Sequence, residues 1–334
     1  GKDSQAMERV LARLRCEQGW PGPFFGVHAD VGSLFDWPWT LALAERNAQA
    51  IGYPLHIVRR KDGRDLHGII QRRVGVTSGS GQPPFPNMQG RFCTSDGKCS
   101  PIDVLLRQTS QDLVVCAVGL RAEESPGRAK QRVVTIRWDI TTGKLKKLSR
   151  EEQKKLTPEN ALPMWQPGDG RLAFTWNPIL DWDVHQVRQE IGTSQAELDA
   201  RRDLLNLGCY GMAFAGWPAA PTYVTGSRRH SCALCCFSRQ DETHLAAKYK
   251  PELVSAIAEM EQVPYRSQMI RWTAGRIAQL VRDEWVRPAD IAVICPYADG
   301  VLRFGLQEAL AAEGVPFNLV RRWISFKDLS LIHL

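Results

Sequence analysis

The sequence predicts an α/β fold, a parallel β-sheet flanked by helices, followed by a smaller α/β unit toward the C-terminus. Three observations carry this reading. Short apolar runs alternate with helix-period stretches from residue 1 to about residue 262. Charged residues gather where those runs end, which is where open α/β sheets bind ligands: Asp30 closes one run, and Arg121, Glu123, Glu124 and Arg128 follow another. Near Pro264 the character changes, and a second, shorter series of helix and strand patterns begins.

Taken in order, Met7, Val10, Leu11 and Leu14 recur at helical spacing, with Asp3 or Ser4 placed to cap the start. Residues 24–30 read as a strand, 39–50 as a helix stopped by Gly52, and 55–58 as a second strand. A helix is expected over 65–73, then a loop over 76–90, rich in Gly, Ser and Pro. Residues 100–107 read as a helix, 112–119 as a buried strand and 133–138 as another strand. The lysine-rich stretch 139–160 reads as a solvated excursion. Helices are expected over 183–191, 194–205 and 251–262. The C-terminal unit, 263–334, reads as a helix from Trp272, a strand over 291–294, a helix over 301–312 and a strand over 316–320.

At 334 residues the chain has room for about two domains of roughly 150 residues each. Hydrophobic residues are 43% and charged residues 24%, which excludes a disordered chain, a collagen and a disulfide mini-protein. The longest uncharged apolar run, 113–120, falls far short of the roughly 18 residues of a membrane helix. With the polar opening Gly1-Lys2-Asp3, this predicts a cytoplasmic protein without a leader or a membrane partner. Lys plus Arg number 43 against 36 acidic residues, a charge of +7. That suits either a basic surface or an anionic partner, nucleotide or nucleic acid.

Nine cysteines, an odd count, argue against a disulfide framework. Cys116 and Cys295 sit within apolar runs and read as packing. Cys232 and Cys235 form a Cys-x-x-Cys pair, followed by Cys236, and point to metal, cluster or redox chemistry. Cys93, Cys99, Cys209 and Cys236 are candidates for further ligands. Four cysteines would suit a [4Fe–4S] cluster, and three with His230 or His244 would suit zinc. Arg228-Arg229-His230 could lower nearby thiol pKa values or hold an anionic substrate. Trp165, Trp176, Trp182 and Trp217 could stack on a base, although core packing explains them more simply.

Gly1-Lys2-Asp3-Ser4 leads straight into a helix, where backbone N–H groups can cradle a phosphate. Four further elements follow in order. They are Val27-His28-Ala29-Asp30-Val31-Gly32; Arg91-Phe92-Cys93-Thr94 with Lys98 and Pro101; Gly119-Leu120-Arg121-Ala122-Glu123-Glu124-Ser125 with Arg128; and Asn177-Pro178-Ile179-Leu180-Asp181-Trp182. Together they resemble the motifs of the phosphoadenosine phosphosulfate (PAPS) reductase-like enzymes, pyrophosphate-loop members of the adenine nucleotide α-hydrolase superfamily.

The resemblance spans residues 1 to about 262. It implies a Rossmann-like sheet whose first strand is expected to be truncated here, together with the first Ser-Gly of the loop. It implies that Gly1, Lys2, Asp3, Ser4, Asp30, Gly32, Lys98, Arg121 and Glu124 bind an adenine nucleotide, either ATP or a sulfonucleotide. Lys2, Asp3, Arg121 and Arg128 would be catalytic, the two arginines clamping an oxyanion. Relatives that carry a cluster imply iron–sulfur, with zinc as the alternative, on ligands drawn from Cys93, Cys209, Cys232, Cys235 and Cys236.

No Glu-Cys-Gly element, the nucleophile motif of the reductases, follows residue 240. The expected activity is therefore ATP-dependent, adenylating sulfur transfer like that of DNA phosphorothioation, with DNA or DNA-modification proteins as partners. The alternatives are a sulfonucleotide reductase working with thioredoxin, and a non-catalytic nucleotide-binding or DNA-associated module. Within 265–334, Ile291 to Tyr297, Leu302-Arg303-Phe304 and Gly314-Val315-Pro316 resemble part of the second motor domain of superfamily 1 DNA helicases. The chain has no Gly-x-x-x-x-Gly-Lys-Ser/Thr loop to power such a motor.

Overall fold

The computed structural model describes residues 1–77, 84–87, 90–262, 266–288, 291–295, 300–316 and 330–333. It divides into two compact units, one of Gly1–Arg73 with Pro83–Leu253, the other of Val74–Gln82 with Val254–Leu334.

The first unit opens with α1 (Lys2–Gln18), β1 (Gly26–Ala29), α2 (Thr40–Ile51), β2 (Leu55–Val58), α3 (Leu66–Thr77) and α4 (Ser100–Gln108). It continues with β3 (Leu113–Ala117), α5 (Pro126–Ala129), β4 (Val134–Ile136) and β5 (Leu172–Trp176). It closes with α6 (Val184–Ile191), α7 (Gln195–Asn206), α8 (Pro221–Val224) and α9 (Gln240–Tyr249), and α10 (Pro251–Gln262) spans the division between units. Most expected elements stand within a few residues of their predicted bounds. β5 is additional to them, although Leu172, Ala173 and Phe174 form a short apolar run and all three are buried.

The strands form parallel pairs, as the alternation predicts. β1 pairs with β2, Gly26 opposite Leu55, and β3 pairs with β5, Leu113 opposite Leu172. β4 joins the other side of β5 antiparallel, giving the order β3-β5-β4. β3 is therefore an edge strand, and this corrects the expectation that it is buried: Leu113 and Val115 are 42% and 54% exposed. Cys116 is half-buried and packs beside Leu106, Val114, Ile140 and Ala173.

Helix α1 buries Ala6, Val10 and Leu11 and ends at Gly19, which supplies the left-handed residue that closes it. The expected cap by Asp3 or Ser4 does not form. Gly1 occupies the cap position, and Asp3 turns toward Arg121 instead. α1 packs on α6, where Arg13 forks onto the Glu190 carboxylate at 3.0 and 3.2 Å. The core under these helices gathers Ala6, Ile179, Val187, Leu198, Trp217 and Tyr223. Asp183 and Ser194 cap α6 and α7 with their side chains, which sets sharp starts for both helices.

The lysines of 139–160 are exposed, as expected, but the segment is anchored. Leu145 and Ala161 are buried against Leu172 and Phe174. In place of a loop, short helical turns run over 143–146, 150–155 and 158–164. Of the loop expected over 76–90, Val76 and Thr77 belong to α3, and residues 78–83, 88 and 89 lie outside the described residues.

The second unit holds α11 (Arg266–Arg282), β6 (Ala292–Cys295), α12 (Gly300–Ala312) and β7 (Ser330–His333). Ile270, Ala274 and Ile277 of α11 pack against Leu306 and Leu310 of α12. β7, also additional to the expected elements, runs antiparallel to β6. Pro264, Tyr265, Pro296, Tyr297, residues 317–320 and the side chain of Cys295 lie outside the described residues. No helix among the described residues is long and apolar enough to cross a membrane.

Candidate functional site

The site begins where the segment after β3 meets the first turn of α1. Gly119 approaches that turn so closely that a Cβ on it would stand 2.7 Å from the Ser4 nitrogen and 2.8 Å from the Asp3 carbonyl oxygen. Only glycine lets the two backbones meet at this distance. Three residues on, Ala122 N–H donates to the Leu180 carbonyl at 2.8 Å, tying the segment to the turn that leads into α6.

Arg121 is thereby aimed back at α1. It is buried, 4% exposed, and its Nε donates to Asp3 Oδ1 at 2.5 Å. Its Nη1 donates to Glu123 Oε2 at 2.9 Å, and the same carboxylate oxygen accepts the Val184 N–H at the start of α6. Lys2 Nζ donates to Asp3 Oδ2 at 2.9 Å. Asp3 thus holds two cations, one on each oxygen. Burial pushes the Asp3 carboxyl up, but Lys2 and Arg121 outweigh it and hold the group below the usual carboxylate range. Burial pulls the Lys2 ammonium down, and Asp3 opposes this.

Tyr223 braces the loop from below. Its buried hydroxyl accepts the Lys2 backbone N–H at 3.1 Å, and its ring lies under the Lys2 ammonium. His230 follows on the same segment, bridging Thr40 Oγ1 at 3.1 Å and Thr222 Oγ1 at 3.0 Å. Burial pushes its pKa down to about 3, so the imidazole is neutral.

These groups border a cavity of about 480 Å³. Lys2, Arg121, Arg188, Arg202, Arg228 and Arg229 line it, against two carboxylates, Glu123 and Glu124. No cysteine is among the residues lining it. A half-buried cavity of this size with convergent cations is a site for a small anionic molecule.

Residues 1–210 match the phosphoadenosine phosphosulfate reductase domain. The chain belongs to that family. No curated protein matches the sequence. Membership in the PAPS reductase family makes this a pyrophosphate-loop protein that binds an adenine nucleotide. Trp217, Tyr223, Arg228 and Arg229, which also line the cavity, lie beyond the matched residues.

Of the nucleotide-binding residues expected in this PAPS reductase family member, the structure brings Lys2, Asp3, Arg121 and Glu124 together, with Gly1 and Ser4 on the same turn. Arg128 is ion-paired with Glu124, but it does not itself line the cavity. Asp30, Gly32 and Lys98 do not line it either. Asp30 is committed to shaping its own loop: Oδ1 accepts the Gly32 N–H at 2.8 Å, and Oδ2 accepts from Arg59 Nε at 2.8 Å. Gly32 sits at φ +92°, and a Cβ there would overlap the Asp65 carboxylate.

Lys98 stands beside the Cys232 sulfur. A thiolate there would raise the Lys98 ammonium, yet burial pushes the Cys232 thiol up, against the pull of Lys98. The cysteine segment is pinned elsewhere, by Trp37 Nε1 donating to the Ser231 carbonyl and Ala233 N–H donating to the Phe35 carbonyl.

Cys236 feels Cys235 and Cys93, and burial with these neighbours pushes its thiol up to about 11. Cys209 caps the turn 210–214, with its sulfur 4.0 Å from the Leu207 carbonyl oxygen. Among the described residues no three His, Cys, Asp or Glu side chains come together as a metal site requires. The five cysteines expected as ligands are not gathered into such a group, although Cys235 and Cys93 lie within charge range of Cys236, and Cys235 within that of Cys232.

Sequence reasoning missed Arg188, Arg202 and Tyr223. The two arginines lie on helices whose polar faces look solvated in sequence, and nothing local marks a buried tyrosine hydroxyl as a loop brace. The doublet Arg228-Arg229 is legible as an anion-holding element. Trp217, by contrast, is core: it is buried, and its Nε1 donates to the Ala220 carbonyl.

Proposed function

We propose that this protein adenylates an acceptor at the expense of ATP and prepares it for sulfur transfer, in the manner of the DNA-phosphorothioation proteins that its motifs resemble. The observation that carries the reading is the Lys2–Asp3–Arg121 unit, set at the edge of a basic cavity that no cysteine lines. An acceptor oxygen attacks the α-phosphorus, the α–β bridging bond breaks, and pyrophosphate leaves with the electron pair. Lys2 and Arg121 stand where that developing charge is stabilised, and Asp3 keeps both cations oriented. A sulfide-level sulfur nucleophile then attacks the acceptor atom that bears the adenylated oxygen, the bond to that oxygen breaks, and AMP leaves carrying the oxygen and the electron pair; DNA or a DNA-modification protein is the acceptor class.

The test is release of pyrophosphate from ATP, measured with the wild type and Arg121→Lys. Acceptor-dependent pyrophosphate release that falls at least about a hundredfold in the variant supports the reading. A second reading, reduction of a sulfonucleotide with thioredoxin, is favoured by the family's own description. Sulfite release from PAPS without pyrophosphate release from ATP would select it. Nucleotide binding with neither product would leave a non-catalytic binding module.

A further inference from the structure

We propose that Lys250 is a positioning residue for the nucleotide loop: its ammonium is an internal cation that latches residues 33–36, and through them residues 230–233, against the start of α1. The bearing on the nucleotide rests on the reading of the Lys2 and Asp3 turn as the nucleotide loop.

Lys250 joins α9 to α10. Its N–H donates to the Ala246 carbonyl at 2.8 Å, and its own carbonyl accepts the Leu253 N–H at 3.1 Å. With both backbone groups tied, the side chain is carried inward, and the residue is only 3% exposed. Its Nζ donates to the carbonyls of Ser33, Leu34 and Asp36 at 2.5, 2.7 and 2.6 Å. An ammonium has three donors, and all three are used here. Glu252 stands further off, at 3.6 Å, with a mostly exposed carboxylate. The charge is therefore held mainly by carbonyl dipoles that lie 214 to 217 residues earlier in the chain.

Three of four successive carbonyls turned to one point repel one another unless a cation sits among them. The fourth, that of Phe35, accepts the Ala233 N–H at 2.9 Å. Trp37 Nε1 donates to the Ser231 carbonyl at 2.8 Å, and Thr40 Oγ1 meets His230 Nε2 at 3.1 Å. The 33–36 loop is thus fastened to Lys250 by three of its carbonyls and to residues 231–233 by the remaining one. Those residues lead back to the start of α1. A Cβ on Gly1 would stand 3.5 Å from His230 Cβ and 3.4 Å from the Tyr223 hydroxyl, which also accepts the Lys2 N–H. Removing the ammonium releases the loop, and the loop is what pins the segment that backs Gly1 and Lys2.

The experiment is site-resolved hydrogen exchange together with ATP titration. The proteins are the wild type, Lys250→Met, Lys250→Arg and, as a control, Lys248→Met, which alters an exposed lysine of α9. Three amides report: Asp36, which donates to the Gly32 carbonyl; Ala233, which donates to the Phe35 carbonyl; and Leu172 in β5, which donates to the Asp112 carbonyl and lies outside the latch.

In the wild type, the Asp36 and Ala233 amides should open together, with one opening free energy and one denaturant dependence. Lys250→Met should speed both at least about tenfold and leave Leu172 unchanged. Lys250→Arg keeps the charge in a different geometry, and its rates should fall between those of Lys250→Met and the wild type. ATP affinity should weaken at least about threefold in Lys250→Met, because the closed loop is less populated, and should be unchanged in Lys248→Met.

Separate openings of Asp36 and Ala233 in the wild type overturn the latch, whether or not Lys250→Met folds. Wild-type exchange at both amides in Lys250→Met overturns it too, as does equal acceleration of all three amides, which is general destabilisation. Rates in Lys250→Arg as fast as those in Lys250→Met would show that volume, not charge, holds the loop. Faster exchange with undiminished ATP affinity would overturn the positioning role. If the wild type binds no ATP, the nucleotide reading fails instead, and exchange at Asp36 and Ala233 still decides the latch.

Discussion

Arg121 Nε and Asp3 Oδ1 meet at 2.5 Å across 118 residues of sequence. One residue follows an edge strand, the other opens the first helix, and both are largely buried, with side-chain exposures of 4% and 14%. A pair of this kind is costly to break from one side only. Arg121→Met should destabilise the fold by about 3–5 kcal/mol because Asp3 is left beside Lys2 alone. Asp3→Asn should do comparable damage from the other side. The double variant should lose less than the sum, with a coupling of about 0.5–3 kcal/mol in a denaturant-unfolding cycle. Strict additivity would mean that the pair has no energetic coupling.

Gly119→Ala places a methyl group against the backbone of Asp3 and Ser4, where neither partner can rotate away. The expected cost is about 1–3 kcal/mol in stability. Nucleotide affinity should fall by an order of magnitude or more, because the loop and Arg121 shift together. Thermal unfolding and nucleotide titration on the same sample measure both. Wild-type affinity in a stable Gly119→Ala protein would show that the close approach is dispensable.

Tyr223→Phe removes the acceptor of the Lys2 N–H without changing the packing volume. The buried donor left unsatisfied should cost about 1–3 kcal/mol. Hydrogen exchange at the Lys2 amide should accelerate, whereas amides in the second unit, on α11, should be unaffected.

His230 sets an acid limit on stability. Its folded pKa, down at about 3, lies below the usual value near 6.5. Between roughly pH 6.5 and pH 3 the unfolded chain takes up a proton that the folded chain refuses. Stability contributed by the neutral imidazole is therefore complete above about pH 6.5 and is lost progressively as pH falls toward 3, by a few kcal/mol at most. Melting temperature measured against pH should fall more steeply over this window in the wild type than in His230→Gln. The variant should start from a lower value at pH 7, because its contacts with Thr40 and Thr222 are altered. Equal slopes in the two proteins would contradict the assignment.

Much of the fold is legible in the amino-acid sequence. The 2-period and 3.6-period patterns place most strands and helices of the first unit, and the spaced motifs around Lys2, Asp3 and Arg121 point to one anion-binding corner. These are local signals: backbone periodicity, a glycine at a close approach, cations beside a helix start. The edge position of β3, the antiparallel entry of β4 and the brace from Tyr223 are not legible there, since each depends on which segment ends up next to which. The cysteines show the same limit. Their spacing satisfies the arithmetic of a ligand set, but Cys209 caps a surface turn and Cys232 sits beside Lys98, and no donor set of three forms among the described residues. The fold class and the chemistry of the anion corner are written along the chain, because local pattern and composition suffice for both. Which cations line the cavity, and which of them are paired with carboxylates, emerges only on folding, because charge pairing is a property of distance in space and not of spacing along the chain.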